Sequence, residues 1–347
     1  MKILIVNHTL GPPAGSEKNT FITATGLHKR GHSVQCFGLW NGQTAYHLET
    51  EGIKCWEKKP EGLEKPDIIF AGHKTPTRVI AEHFPDTPMV VISRSTYNDE
   101  ELLGEDIFQR AYRVICVDSE VKEHLQEEHQ LPDEKVVIVR NSVDIKWYRP
   151  EKCHYRWRPG DPIRIVQVSR IGGKRQYGIN TMMKVSAELN KLHKEHHGAD
   201  YMLAGFGHWH RIHTLEEELG LKVIMQHQVW DSADTIHQGD MVAGAARCIM
   251  EGMACGKPCI PITNFGCDGF VTRDNFEELH HAEFHGKTQK FPLGDPTKIA
   301  IEIKKIFEEE KYKEMCDTNR ELAERFFDNE TRLDKLELLF EEAIKHG

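Results

Sequence analysis

The chain has 347 residues, 39% of them hydrophobic, and a formal net charge of −9, as befits a globular protein of two ordinary domains. The acidic balance argues against nucleic acid or an anionic membrane as the main partner, and no apolar run approaches the ~18 residues of a membrane span. Nine cysteines, an odd number without repeated CxxC pairs, argue against a disulfide framework or zinc ribbon and for a reducing cytoplasm.

Residues 2–7 are expected to form a buried first strand rather than a signal peptide, because no small-residue cleavage site follows them. A Gly-Pro-Pro-Ala-Gly loop at 11–15 leads into a helix, capped by Ser16 and reaching about Arg30. Apolar runs predict strands at 33–38, 67–71, 89–93, 113–118 and 136–140. Helices are predicted near 77–83, 106–111 and 120–129. This alternation predicts a parallel sheet covered by helices.

Residues 146–160 interleave Trp147, Tyr148, Arg149, Tyr155, Arg156, Trp157 and Arg158. We expect aromatic and guanidinium packing there, at a crossing between two domains, rather than nucleic-acid stacking. A second alternating set follows, with strands at 163–168, 201–204 and 223–226 and helices near 179–194 and 211–219. Closing helices are expected at 296–310 and 332–345. The expected domains are therefore 1–150 and 151–330, with a terminal helical segment at 331–347. His208, His210 and His213 come nearest to a ligand cluster, but no metal-binding spacing appears and no metal site is expected.

The most informative stretch is 243–258, Ala-Gly-Ala-Ala-Arg-Cys-Ile-Met-Glu-Gly-Met-Ala-Cys-Gly-Lys-Pro. It reads as a glycine-containing loop, a short helix carrying Glu251, and a stop at Gly256 and Pro258 before a strand at 259–262. Unpaired amides at a helix N-terminus, here those of Gly244, Ala245, Ala246 and Arg247, form an anion site. One carboxylate on the same helix suits the two hydroxyls of a ribose. The combination describes a sugar-nucleotide pocket.

These residues resemble the "EAMACGKPVI" signature of family-four glycosyltransferases, which share the two-domain GT-B fold. Further segments fit that pattern in order: residues 1–15, "LHKRGHSV" at 27–34, "VIVRNSVDIKWYRP" at 137–150, "IVQVSRI" at 165–171, and residues 203–207. The resemblance covers nearly the whole chain. It implies an α/β GT-B fold of two doubly wound Rossmann-like domains facing across a cleft, the last helix crossing back to the first domain. It also implies retaining transfer of a hexose-type sugar from a nucleoside-diphosphate sugar, a UDP-sugar by expectation, to a hydroxyl acceptor. No cofactor or metal is required.

Residue by residue, Arg170 is the expected partner of the donor diphosphate, supported by Lys174 or Arg175, with Gly172 and Gly173 letting the backbone approach. Glu251 takes the ribose by resemblance. The family's first acid falls at Ala243, so donor-sugar contacts pass to the amides of 244–247 or to Asp268. In the first domain Gly15 faces the diphosphate or acceptor. Acceptor-side candidates are His73, also the one guess at a catalytic base, and Ser93, Arg94 and Ser95, which follow strand ends. The alternatives are a sugar-nucleotide epimerase, a binding protein without turnover and, further off, a glycosyltransferase of modified DNA bases. A monomer or weak dimer is the default expectation, and nothing supports a peripheral membrane contact.

Overall fold

The computed structural model describes every residue except 97–99, 151–156, 159, 193–197, 228, 289, 292–294, 309–310 and 347. The chain divides into two compact units, Met1–Ser142 with Asn329–Gly347, and Val143–Asp328.

Unit 1 is built on β1 (Lys2–Val6), β2 (Ser33–Gly38), β3 (Lys54–Glu57), β4 (Ile68–Ala71), β5 (Met89–Ser93), β6 (Arg113–Cys116) and β7 (Val136–Ile138), ordered β3-β2-β1-β4-β5-β6-β7. Every neighbouring pair is parallel. The central strands are apolar on both faces, with Ile3 to Val6, Ile68 to Ala71 and Met89 to Ile92 all buried. That is what a parallel sheet covered by helices on both sides requires. Helix α1 (Gly15–Lys29) follows β1, and α2 (Gln43–Thr50), α3 (Lys74–His83), α4 (Glu105–Arg110) and α5 (Ser119–His129) complete the crossovers. The last helix of the chain, α13 (Asn329–His346), belongs to this unit and packs on α1, β4 and β5, with Phe340 against Phe70.

Ser16 does not cap α1. The helix begins at Gly15 with Ala14 as an extended N-cap, and the Ser16 hydroxyl donates instead to Glu17. Elements α2 and β3 carry no strong apolar run: only Thr44, Ala45 and Leu48 of α2 are buried, and β3 is a part-exposed edge.

Unit 2 holds β8 (Ile163–Ile171), β9 (Ala199–Gly207), β10 (Val223–His227), β11 (Met241–Gly244) and β12 (Cys259–Pro261), all parallel and ordered β10-β9-β8-β11-β12. Its helices are α6 (Arg175–Leu192), α7 (His210–Leu219), α8 (Ser232–His237), α9 (Arg247–Ala254), α10 (Phe276–His281), α11 (Pro296–Glu308) and α12 (Tyr312–Phe326). Half of the stretch read from sequence as a loop at 243–246 is strand. β11 runs to Gly244, leaving only Ala245 and Ala246 before α9. Of the aromatic run expected at a domain crossing, Trp147, Tyr148 and Trp157 pack within unit 2. Trp147 donates to Asp231, and Trp157 meets Phe307 and Tyr312. Tyr155 and Arg156 lie outside the described residues.

Candidate functional site

Both sheets reverse their direction of strand addition beside their first strand. In unit 2 the chain adds β9 and β10 on one side of β8, then β11 and β12 on the other. In unit 1 it adds β2 and β3 on one side of β1 and β4 to β7 on the other. Such switch points leave a crevice beyond the carboxyl ends of the two flanking strands, where open α/β sheets take their ligands.

In unit 2 the crevice lies at the ends of β8 and β11. Arg170, near the end of β8, is exposed, with its guanidinium 5.8 Å from the Phe206 ring centre. Gly172 and Gly173 follow with φ of +127° and +54°, and a Cβ at Gly172 would meet the His208 ring at 2.7 Å. Glycine is therefore needed at that turn for both backbone and space. Lys174 is exposed and Arg175 opens α6.

At the end of β11, Gly244, Ala245 and Ala246 turn directly into α9, which starts at Arg247. Ala246 has φ 51° and ψ −126°, a conformation L-residues rarely adopt and one that clusters at functional sites. The first turns of α6 and α9 are electrostatic neighbours. Burial pushes the Cys248 thiol up to about 12, while the Arg175 charge pulls the other way. The fold thus brings Arg170, Lys174 and Arg175 to the same sheet edge as the amides that open α9.

Glu251 sits one turn into α9 and is buried, at 5% exposure. Its Oε1 accepts from Arg247 Nη2 at 3.1 Å and its Oε2 from the Ser232 hydroxyl at 2.8 Å. Because Ser232 spends its proton on Glu251, Tyr148 must donate across the 2.8 Å to the Ser232 oxygen. Burial and then the Glu251 charge push the Tyr148 hydroxyl well above its usual range, which keeps that proton in place. Sequence reasoning missed Tyr148, Ser232 and the pairing with Arg247. The i,i+4 spacing of Arg247 and Glu251 was the one available signal.

Two positions behave differently from the sequence expectation. Ala243 lies within β11, fully buried among Ile165, Leu203 and Ile260. A carboxylate there would enter the core rather than the crevice. Asp268 is 1% exposed, and its Oδ1 accepts the Thr288 N–H at 2.9 Å and hydroxyl at 2.7 Å. Through Oδ1 it clasps two loop segments together, while its Oδ2 is buried without a hydrogen-bond partner.

In unit 1 the corresponding crevice lies at the ends of β1 and β4. Gly15 opens α1 there, and a Cβ on it would meet nothing within 4 Å, so packing does not demand the glycine. Glu17 is tied by the Thr9 and Ser16 hydroxyls, each at 2.9 Å. His73 follows β4, is 4% exposed, and lies 5.8 Å from the His8 ring. Burial, then the Arg94 charge, then His8 push its imidazole down to about 2. A group so weakly basic is ill matched to taking a proton near neutral pH. Arg94 follows β5, and its Nη1 donates to the Gly72 carbonyl at 3.3 Å.

Among the described residues no three His, Cys, Asp or Glu side chains converge as a metal ligand set, and no helix is long and apolar enough to cross a membrane. No protein-family model matches the chain, and no curated protein does. Solved structures do. A glycosyltransferase from Rickettsia africae aligns over 100% of this chain and 99% of its own at TM-score 0.71 and 16% identity. HepE of Anabaena, in complex with UDP and glucose, aligns over 99% and 100% at TM-score 0.70 and 16% identity. The sucrose-phosphate synthase of Thermosynechococcus elongatus aligns over the full length of both chains at TM-score 0.68 and 14% identity. Likenesses at such identities show the fold, a GT-B fold with two Rossmann-like domains.

Proposed function

We propose that the protein is a retaining glycosyltransferase, moving a hexose-type sugar from a nucleoside-diphosphate donor, a UDP-sugar, to a hydroxyl acceptor. The observation that carries this reading is the unit 2 switch point. It sets exposed Arg170 and Lys174 and the Gly172–Gly173 turn beside the strained entry to α9. Fixed cations and helix-terminal amides are what a departing diphosphate needs, since they neutralise its charge without reorganisation. A full-length likeness to a protein seen with UDP and glucose supports the same reading.

In this mechanism the bond from the anomeric carbon to the diphosphate oxygen breaks as a bond to the acceptor oxygen forms on the same face. The acceptor proton passes to the departing diphosphate oxygen, so no protein base is required. That agrees with a His73 held neutral by burial. Glu251 retains lone pairs beyond those used by Arg247 and Ser232, and these would accept from the ribose hydroxyls. Nucleotide-sugar binding without turnover is the second reading. It is favoured by Ala243, sealed in the core, which leaves no carboxylate from that position for the donor sugar.

The test is a thermal-shift panel of UDP-, GDP- and ADP-sugars on wild type and Arg170→Ala, with NMR detection of released sugar or product. A ligand at a hundredfold excess over Kd adds about 2.7 kcal/mol of stability. We expect a shift with the UDP-sugars, reduced in Arg170→Ala, and an α-linked product from an α-linked donor. A shift with no product and no hydrolysis selects the binding reading. No shift with any donor overturns both.

A further inference from the structure

The unit 1 switch point carries groups that the mechanism above does not use. Among the buried polar atoms there without a hydrogen-bond partner are Asn7 Oδ1, His73 Nδ1 and Arg94 Nε; His8 Nδ1, also without one, lies 3.4 Å from a Glu100 carboxylate oxygen. The first three follow β1, β4 and β5, which are consecutive in the sheet. Buried polar groups are almost always paired, so orphans at the ends of three consecutive strands leave bonding for a ligand or ordered water to complete.

Arg94 decides what kind of ligand. A guanidinium has five N–H donors and cannot shed its charge. Here it makes one long bond, to the Gly72 carbonyl, and forms no ion pair with any described residue. Burial lowers its pKa, and Glu101 and Glu17 act on it only through space. The carboxylate of Glu17 is in turn occupied by two hydroxyls. Two other part-buried arginines are held differently. Arg30 meets three carboxylates, and Arg110 donates to the carbonyls of Ala81, Phe84 and Thr87.

The chain also makes room for this cation. A Cβ at Gly72 would come within 2.2 Å of Arg94 Nη1. A neutral sugar would satisfy the free N–H groups of this part-buried guanidinium but give its charge no paired anion, whereas an oxyanion does both.

We propose that the carboxyl edge of the unit 1 sheet binds an oxyanion of the acceptor, a phosphate or carboxylate seated on Arg94. Asn7 and neutral His73 bond the neighbouring hydroxyls. The identification of this ligand as the acceptor rests on the glycosyltransferase reading; the oxyanion site itself does not. The test is calorimetric titration of glucose 6-phosphate, glucuronate and glucose into wild type, Arg94→Gln and Gly72→Ala, each with and without saturating UDP.

We expect one charged probe to bind wild type and glucose to bind far more weakly; which charged probe binds separates phosphate from carboxylate. Arg94→Gln should weaken that probe roughly 10- to 100-fold, the range for losing a charge-assisted contact, and leave UDP affinity unchanged. Gly72→Ala, which displaces the guanidinium without removing it, should weaken the probe as well and serves if Arg94→Gln does not fold. Three results would overturn the proposal: glucose binding as well as the charged probes, no charged probe binding, or Arg94→Gln losing UDP instead. Binding of a charged probe without any UDP binding would keep the oxyanion site and discard the donor reading.

Discussion

His73 gives the most direct test of how the unit 1 edge is built. Burial, the Arg94 charge and His8 hold its imidazole at about 2, against an ordinary value of 6.5. Below pH 6.5 the unfolded chain takes up a proton at this residue that the folded chain refuses. Stability from this group is therefore complete above 6.5 and falls continuously as pH drops toward 2. Each pH unit in that window removes about 1.4 kcal/mol, so pH 5.0 should be roughly 2 kcal/mol less stabilising than pH 7.5 from His73 alone. Asp240 works in the opposite direction, because burial lifts its carboxyl from 3.8 to about 7. Its contribution is complete below 3.8 and is lost as pH rises toward 7, so it masks part of the His73 slope in wild type. The difference between wild type and His73→Asn removes Asp240 from the comparison. Urea unfolding of both proteins from pH 5.0 to 7.5 should show their stabilities diverging by about 2 kcal/mol over that range. Parallel curves would mean that His73 ionises freely in the folded state. The account of a neutral imidazole beside a part-buried guanidinium would then fail.

The other predictions concern α9. Glu251→Ala should destabilise by about 3 kcal/mol in urea unfolding, because it leaves the Arg247 guanidinium, whose side chain is 12% exposed, without its carboxylate. Glu251→Gln keeps an acceptor for Ser232 and should lose less; equal stability for wild type and the alanine variant would refute the buried cluster. Ala246→Gly should raise stability by about 1 kcal/mol, since glycine tolerates φ 51° and ψ −126° without the Cβ penalty. A destabilised glycine variant would show that the methyl group packs well enough to outweigh the strain.

The sheets were largely legible in the sequence, for a physical reason. Strands such as Ile68–Ala71 and Met89–Ser93 are nearly continuous apolar runs because helices cover both their faces. Legibility ended where that pressure ends. The edge strand Lys54–Glu57 is half open to solvent, and α12 hides its buried Met315, Asn319, Leu322 and Ala323 among charged residues. Met241–Gly244 misled in the other direction. A strand this short, ending in Gly-Ala-Ala, carries the composition of a loop although all four of its residues are buried.

The site shows what spacing can and cannot specify. Counting eight residues back from Glu251 gives Ala243, and that count alone suggests a missing acid in an otherwise intact pocket. The structure places Ala243 in a parallel strand paired with Ile260 of β12, its side chain in the core. The absent acid is therefore not a vacancy in the crevice; at this position the chain has a strand that continues almost to the helix. Arg94 is the converse case. Ser-Arg-Ser after a strand looks like an ordinary solvated turn, and only the fold brings it beside Gly72, 22 residues away in sequence. A guanidinium accommodated by a glycine just beyond a neighbouring strand leaves no local sequence signal, because each residue alone is unremarkable in a loop. What marks the pair is a part-buried charge that forms no ion pair with any described residue, and a fold retains that arrangement most readily where something else supplies the anion.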